Sequence, residues 1–215
     1  MSTVAGGPVV RIPTAFGTFR AQAWGDQESG VEHLSMSAPG PGGGVGAPLV
    51  RMHSECLTGD VFGSYRCDCG EQLDQALELV QEQGGTVVYL RGQEGRGIGL
   101  ANKLRAYALQ EDGADTVEAN EQLGLPVDAR DYRAAAEILT QLGIPRIRLL
   151  SNNPLKRAHL ERYGIIVEAM VPSEVPSRLE NRPYLETKRA RLDHRLSHLE
   201  EQSHERRQEK TVRQS

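Results

Sequence analysis

Three cysteines, Cys56, Cys67 and Cys69, lie within fourteen residues of one another, and the rest of the 215-residue chain has none. Three thiolates are one ligand short of the closed tetrahedral set of structural zinc. A metal held by them keeps one position for water, which is the catalytic arrangement. A disulfide fits poorly, because the count is odd and Cys67 and Cys69 stand two residues apart, where regular backbone gives poor pairing geometry. Residues 1–7 show neither the basic nor the apolar region of a secretory signal, so thiolate ligands in a reduced, cytoplasmic setting are the expectation. The structural alternative is a zinc ribbon completed by His53, three residues before Cys56, or by a distant histidine. Three thiolates carry enough negative charge to blunt the acidity of bound water, so a nearby cation such as Arg51 or Arg66 would help.

Three further constellations carry chemistry. Gly92-Gln93-Glu94-Gly95-Arg96-Gly97-Ile98-Gly99 falls between a strand pattern and a helix pattern. Glycines let backbone approach a phosphate, a helix start adds partial positive charge, and Arg96 offers a fork; tight strand-to-helix packing is the plainer alternative. Asp128-Ala129-Arg130-Asp131-Tyr132 precedes a helix, where a cap or a surface ion pair is the plainer reading of residue type. Ser151-Asn152-Asn153-Pro154-Leu155-Lys156 reads as a helix start with Pro154 in the first turn, and serves equally as a cap or an anion contact.

The elements that must position these residues follow from periodicity. Residues 9–24 read as strands, followed by a strand near 32–37. The Gly/Pro-rich stretch 38–48 reads as a plain linker between neighbouring strands, since it lacks the Lys-Ser/Thr ending of a P-loop. A strand over 49–53 delivers Cys56. Leu73, Ala76, Leu77 and Val80 follow helical spacing up to Gly84-Gly85. Residues 86–90 form a strand, and the next helix has Leu100, Leu104, Tyr107 and Ala108 on one side. A loop over 113–126, a helix over 131–142, a strand over 146–150, a short helix to Gly164 and a strand over 165–171 complete the pattern. Strands alternating with helices from 86 to 171 predict an α/β fold, a mixed β-sheet with flanking helices and a β-rich N-terminal part. One catalytic domain is expected over 1–176. Residues 177–215 turn strongly charged and are expected to form a C-terminal helix or a disordered tail.

Composition bounds the partners. With net charge −4 and pI near 5.9 the chain has no global attraction to nucleic acid or an anionic membrane, so any polyanionic substrate needs a local cluster of cations. No apolar run approaches membrane-spanning length. A nucleic-acid-binding ribbon would want a basic surface and an aromatic platform, and the acidic balance speaks against it.

Taken together, these segments resemble the GTP cyclohydrolase II family, which opens the guanine ring of GTP at the start of riboflavin biosynthesis. The resemblance runs from about Arg51 to Val171. It rests on His53-Ser54-Glu55-Cys56-Leu57-Thr58-Gly59-Asp60 with the Cys67-Asp68-Cys69 partner, on Gln93 to Leu100, and on Thr116-Val117-Glu118-Ala119-Asn120. Weaker echoes lie at Phe16-Gly17-Thr18-Phe19 and at Asn181, Tyr184-Leu185 and Thr187-Lys188. It implies a zinc ion on Cys56, Cys67 and Cys69, and GTP contacts from Arg51, Met52, His53, Ser54, Glu55, Gln72, Glu94, Gly95, Arg96, Thr116, Ser151 and Lys156. It further implies a catalytic set of Asp128 as proton acceptor, Arg130 toward the α-phosphorus, and Tyr107 beside the purine. The implied reaction hydrolyses the imidazole ring at C8, with loss of formate and pyrophosphate, and Mg2+ accompanies the triphosphate. A cytoplasmic homodimer is implied, and too few residues precede the cysteines for a fused butanone-phosphate synthase domain. Arg130 is physically better suited to clamping phosphate charge than to nucleophilic attack, because its guanidinium stays protonated. Ser151 stands where many relatives have Thr, and Gly92 where some have Arg. Two relatives of the implied activity stay open: an enzyme that stops at the formamide after one hydrolysis, and a silent GTP-binding regulator.

Overall fold

The structure, a computed structural model, describes residues 2–40 and 46–192. The centre of the Gly/Pro-rich stretch (41–45) and the charged tail (193–215) lie outside the described residues.

Seven strands form one mixed sheet in the order β1-β2-β3-β5-β4-β6-β7. The chain opens with the hairpin β1 (Val4–Thr14) and β2 (Gly17–Asp26), followed by β3 (Glu32–Ala38). These pair antiparallel, and β3 pairs antiparallel with β5 (Gly85–Leu90). From there the sheet is parallel: β4 (Leu49–Ser54) lies between β5 and β6 (Arg146–Leu150), and β7 (Ile166–Val171) closes the edge. The expected β-rich start and α/β remainder are thus the antiparallel and parallel halves of a single sheet. One expectation is corrected. The Gly/Pro stretch does not join sheet neighbours, because β5 is inserted between β3 and β4. Gly85 permits that insertion: a Cβ there would sit 1.9 Å from the Leu49 carbonyl oxygen, and its φ is +156°.

Period-two alternation along β4 divides its residues between two cores. Val50 and Met52 pack with Ala135, Ile138 and Leu139 of α6 (Arg133–Gln141). Leu49 faces the other way, toward Ala76 and Val80 of α2 (Cys69–Gln83). Arg51 and His53 share the parity of Leu49, so β4 delivers them to the α2 face. The remaining helices are α1 (Leu57–Asp60), α3 (Glu94–Gly97), α4 (Leu100–Glu111), α5 (Thr116–Gln122), α7 (Pro154–Arg162) and α8 (Arg182–Leu192).

Two helical expectations change. The predicted loop 113–126 contains α5, nucleated by a capping box in which Asp115 accepts from the backbone of Val117 and Glu118 while Glu118 accepts from Asp115 N. In α4, Leu100 and Leu104 do not face inward; they are 36% and 51% exposed, while Lys103 and Ala106 are buried. The reason is position: α4 packs on α3 and α5 rather than on the sheet, so its inner face covers a polar site.

Candidate active site

The site lies at the C-terminal ends of the parallel strands, where open α/β sheets place their ligands. The chain passes from β4 to β5 on one side and then to β6 on the other, and this switch leaves a crevice at the end of β4. Cys56 stands two residues beyond the end of β4, at the N-cap of α1, Cys67 lies in the loop after α1, and Cys69 begins α2. Their three sulfurs lie within 4.8 Å of one another, with Cys56 Sγ and Cys67 Sγ 3.7 Å apart. Gly59 makes this approach possible, since a Cβ there would fall 2.9 Å from Cys67 Sγ and 3.2 Å from Cys56 Sγ. Protons are shared unequally. Hydrogen bonds from Cys67 and Cys69, with Lys103 nearby, hold Cys56 far below the ordinary thiol range. Cys67, bonded to Cys56 and buried, is pushed up to about 11, and Cys69 is pushed up as well. Three soft donors converging on one point suit zinc, whose binding would displace those protons.

A polar lattice fixes the cluster. Asp60 accepts from His53 Nε2 (3.0 Å), Tyr89 Oη (2.8 Å) and Cys56 N (2.9 Å). His53 is buried, stacks on Tyr89 and is held below its usual pKa by burial, with Asp60 opposing. Its bond to Asp60 takes it out of the metal set, and among the described residues the ligand group is the three cysteines. Among the described residues the four-ligand ribbon therefore has no fourth member. The cation that reaches the sulfurs is neither Arg51 nor Arg66 but Lys103, whose Nζ lies 3.1 Å from Cys56 Sγ, 2.8 Å from Thr58 Oγ1 and 2.5 Å from Glu94 Oε1. The other Glu94 oxygen accepts from Leu57 N at 2.6 Å, which ties the Gly-rich turn to the cysteine loop.

Beside the sulfurs opens a cavity lined by Ser54, Glu55, Glu94, Gly95, Tyr107 and Thr116 among others. The Arg66 guanidinium lies 4.6 Å above the Tyr107 ring and pairs with Glu111. Glu55 accepts from Gly92 N (2.7 Å), and Ser54 donates to Gln93 Oε1 (2.7 Å).

A second cavity adjoins the first and shares Ser54, Cys69, Arg96, Arg130 and Tyr184 with it. It gathers Arg51, Arg96, Arg130, Lys156 and Lys188. Arg51 donates from its terminal nitrogens to neutral groups, Leu150 O (3.2 Å) and Gln72 Oε1 (2.6 Å), while its Nε is buried without a partner. Lys156 donates to Met52 O (2.8 Å) and is pushed well below its usual pKa by burial and then by Arg51, Arg130 and Lys188. Both terminal nitrogens of Arg96 are buried without a partner. Among the described residues Arg96 is also the non-glycine residue with positive φ, +65°, a conformation that costs about 1 kcal/mol. Buried, strained and unpaired guanidinium nitrogens mark a place for an anion.

Asp128 and Arg130 form a two-point ion pair, through Arg130 Nε to Asp128 Oδ1 (2.8 Å) and Nη2 to Oδ2. Against burial, Arg130 holds the Asp128 carboxyl below its usual range. Asp128 is therefore not a helix cap. Ser151 Oγ accepts from Asn153 N (3.1 Å) and Asn153 caps α7 through Leu155 N (2.9 Å), and both residues line the cationic cavity.

The residues singled out from the sequence converge here with two exceptions: Asp128 lines neither cavity and reaches the site through Arg130, and the Met52 side chain is buried in the α6 core and offers the site its carbonyl. Lys103, Asp68, Gln93 and Asp60 were missed as site residues. A lysine beside the expected apolar stripe of α4 was the available signal for Lys103.

An α/β sheet with three converging cysteines beside a cationic crevice defines a site that can hold a metal next to an anionic ligand. The sequence profile of GTP cyclohydrolase II matches residues 8–172. GTP cyclohydrolase-2 of Streptomyces coelicolor is 56% identical over 195 residues, 89% of this chain and 86% of that one. The riboflavin biosynthesis protein RibBA of Salinispora tropica is 56% identical over 86% of this chain and 46% of its own. A probable bifunctional riboflavin biosynthesis protein, RIBA 2 of Oryza sativa, is 54% identical over 86% and 34%. The chain thus spans about half or less of the length of these RibBA-type relatives. The two-domain synthase RibBX of A. baumannii is similar in structure at TM-score 0.43 and 20% identity, over 82% of this chain and 41% of that one. The chain belongs to the GTP cyclohydrolase II family.

Proposed function

We propose that this chain is a zinc-dependent hydrolase that opens the imidazole ring of GTP at C8. It releases formate and pyrophosphate and yields 2,5-diamino-6-(5-phosphoribosylamino)pyrimidin-4(3H)-one, the first step of riboflavin biosynthesis. The observation that carries this reading is the Arg96 guanidinium, buried and unpaired in the wall between the cysteine cavity and the cationic cavity. A purine placed in the first cavity sends its phosphates past Arg96 into the second.

Cys56, Cys67 and Cys69 would hold zinc, which when bound supplies a Lewis acid and makes water nucleophilic near neutral pH. Tyr107 closes the ring cavity as a flat wall, and its hydroxyl stays protonated because burial raises its pKa, with Lys103 opposing. Glu55 and Ser54, at the end of β4, face the same space. Arg51, Arg96 and Lys156 bind the phosphate chain, with Gln72 aligning Arg51 and Ser151 adding a hydroxyl. Asp128 accepts a proton while orienting Arg130, which clamps charge on the α-phosphate. Two hydrolyses at the ring release formate, and a third at the α–β phosphoanhydride releases pyrophosphate. Mg2+ shields the remaining phosphate charge. The homodimer and the cytoplasmic location belong to the same reading, supported by the family likeness and by three free thiols respectively. No helix among the described residues is long and apolar enough to cross a membrane. Mass spectrometry of the product formed from GTP with zinc and magnesium tests the reading. The ring-opened, deformylated monophosphate is expected; unchanged GTP would overturn it, and a formamide would place the chain with relatives that stop after one hydrolysis.

A further inference from the structure

The family profile ends at residue 172, yet the wall of the site does not. After β7 the chain crosses α2, where Gln72 Nε2 and Gln75 Nε2 donate to the carbonyls of Ser173 and Glu174 (3.3 and 3.0 Å). It then enters α8, whose Leu185 is fully buried. Tyr184 and Lys188 stand four residues apart on one face of α8 and point into the site. The Tyr184 ring lies 5.8 Å from Arg96 Cζ and 4.4 Å from Lys188 Nζ. Lys188 lines the cationic cavity and ends 2.7 Å from Asp68 Oδ1, between the ligands Cys67 and Cys69. The other Asp68 oxygen accepts from Gln72 Nε2 at 2.7 Å, and Gln72 Oε1 accepts from Arg51. One hydrogen-bonded chain therefore joins α8 to the cysteine loop and to β4.

Five basic side chains meet in the second cavity, Lys156 being the one driven toward neutrality, and the carboxylates paired with them are Asp68 and Asp128. Burying an ammonium is costly unless it is well compensated. A lysine needed solely to neutralise Asp68 has no reason to stand on the wall of a cavity already crowded with positive charge.

We propose that α8 belongs to the substrate site and that its Lys188 is a direct ligand of the polyphosphate chain. This deepens the GTP reading above and rests on it for the identity of the polyphosphate. The test uses the full chain and inorganic tripolyphosphate, whose binding by calorimetry requires no turnover. Lys188→Gln is expected to weaken tripolyphosphate binding about tenfold or more, the worth of one charge-assisted contact, with guanosine affinity and zinc content unchanged. Because that variant leaves Asp68 without its cation, Asp68→Asn with Lys188→Gln is the second variant, and the same loss is expected of it. Wild-type tripolyphosphate affinity in the double variant would overturn the proposal, since Lys188 would then serve Asp68 alone; an equal fall in guanosine and tripolyphosphate affinity would overturn it too. Wild-type chain that binds tripolyphosphate through Lys188 but leaves GTP intact would sink the hydrolase reading and spare this one.

Discussion

The Lys103 ammonium donates to the Cys56 sulfur across 3.1 Å. Burial would push that lysine toward neutrality, but Cys56 and Glu94 outweigh it and keep it charged. One positive charge therefore sits against a three-thiolate centre that would otherwise be strongly negative, and Glu94 fixes its position. Partners of this kind typically contribute 10- to 100-fold in metal affinity. Lys103→Met should weaken zinc binding by about tenfold in chelator competition and shift the sulfur-to-metal charge-transfer bands of the cobalt-loaded protein. Unchanged affinity and unchanged bands would show the contact to be incidental.

Gly59 offers a sharper steric test. Its missing side chain is the space the sulfurs occupy, with Cys67 Sγ 2.9 Å and Cys69 Cβ 3.0 Å from where a Cβ would stand. Gly59→Ala should spread the cluster and lose stoichiometric zinc by elemental analysis, while the far-UV spectrum stays that of the folded sheet. Full zinc occupancy in this variant would mean that the cysteine loop yields easily.

How much of this was legible beforehand depended on whether a residue's partners were local. α2 announced itself by its helical spacing, and β4, β5 and β6 by short runs rich in apolar residues that the sheet buries on both faces. The cysteine cluster was legible because ligand type and spacing carry the chemistry. The face of α4 was misread, since Leu100 and Leu104 satisfy a helical stripe while tertiary placement turns Lys103 inward. The capping box at Asp115 and Glu118 was present in the sequence but hidden inside a segment read as loop. The Asp68–Lys188 pair spans 120 positions, and no local pattern signals it.

The Asp128–Arg130 pair separates charge from shape. Arg130→Lys keeps the cation and loses the two-point fork. If Arg130 is a charge clamp, this variant should retain measurable pyrophosphate release at reduced kcat. Abolished release with GTP affinity unchanged would require a role that charge alone does not fill. The pair also carries a pH signature. The folded Asp128 carboxyl is held below its unfolded value, so its contribution to stability is present above about pH 4 and is lost as pH falls through the folded pKa. Asp128→Asn should flatten that part of the acid melting profile.

Lys156 couples phosphate binding to protonation. It is buried, donates to a neutral carbonyl, and is pushed well below its usual pKa by burial and by Arg51, Arg130 and Lys188. A polyphosphate in the cavity reverses the electrostatic part of that shift, so binding raises the Lys156 pKa and draws in a proton at any pH between the free and bound values. The sign follows from linkage: the complex holds more protons than the free protein above the depressed pKa, so affinity must fall as pH rises through that range. Calorimetric titration of tripolyphosphate in buffers of different ionisation enthalpy should show net proton uptake in the wild type and less in Lys156→Gln. Proton release, or uptake that the substitution leaves unchanged, would show that Lys156 is already charged in the free protein and that another group meets the phosphate.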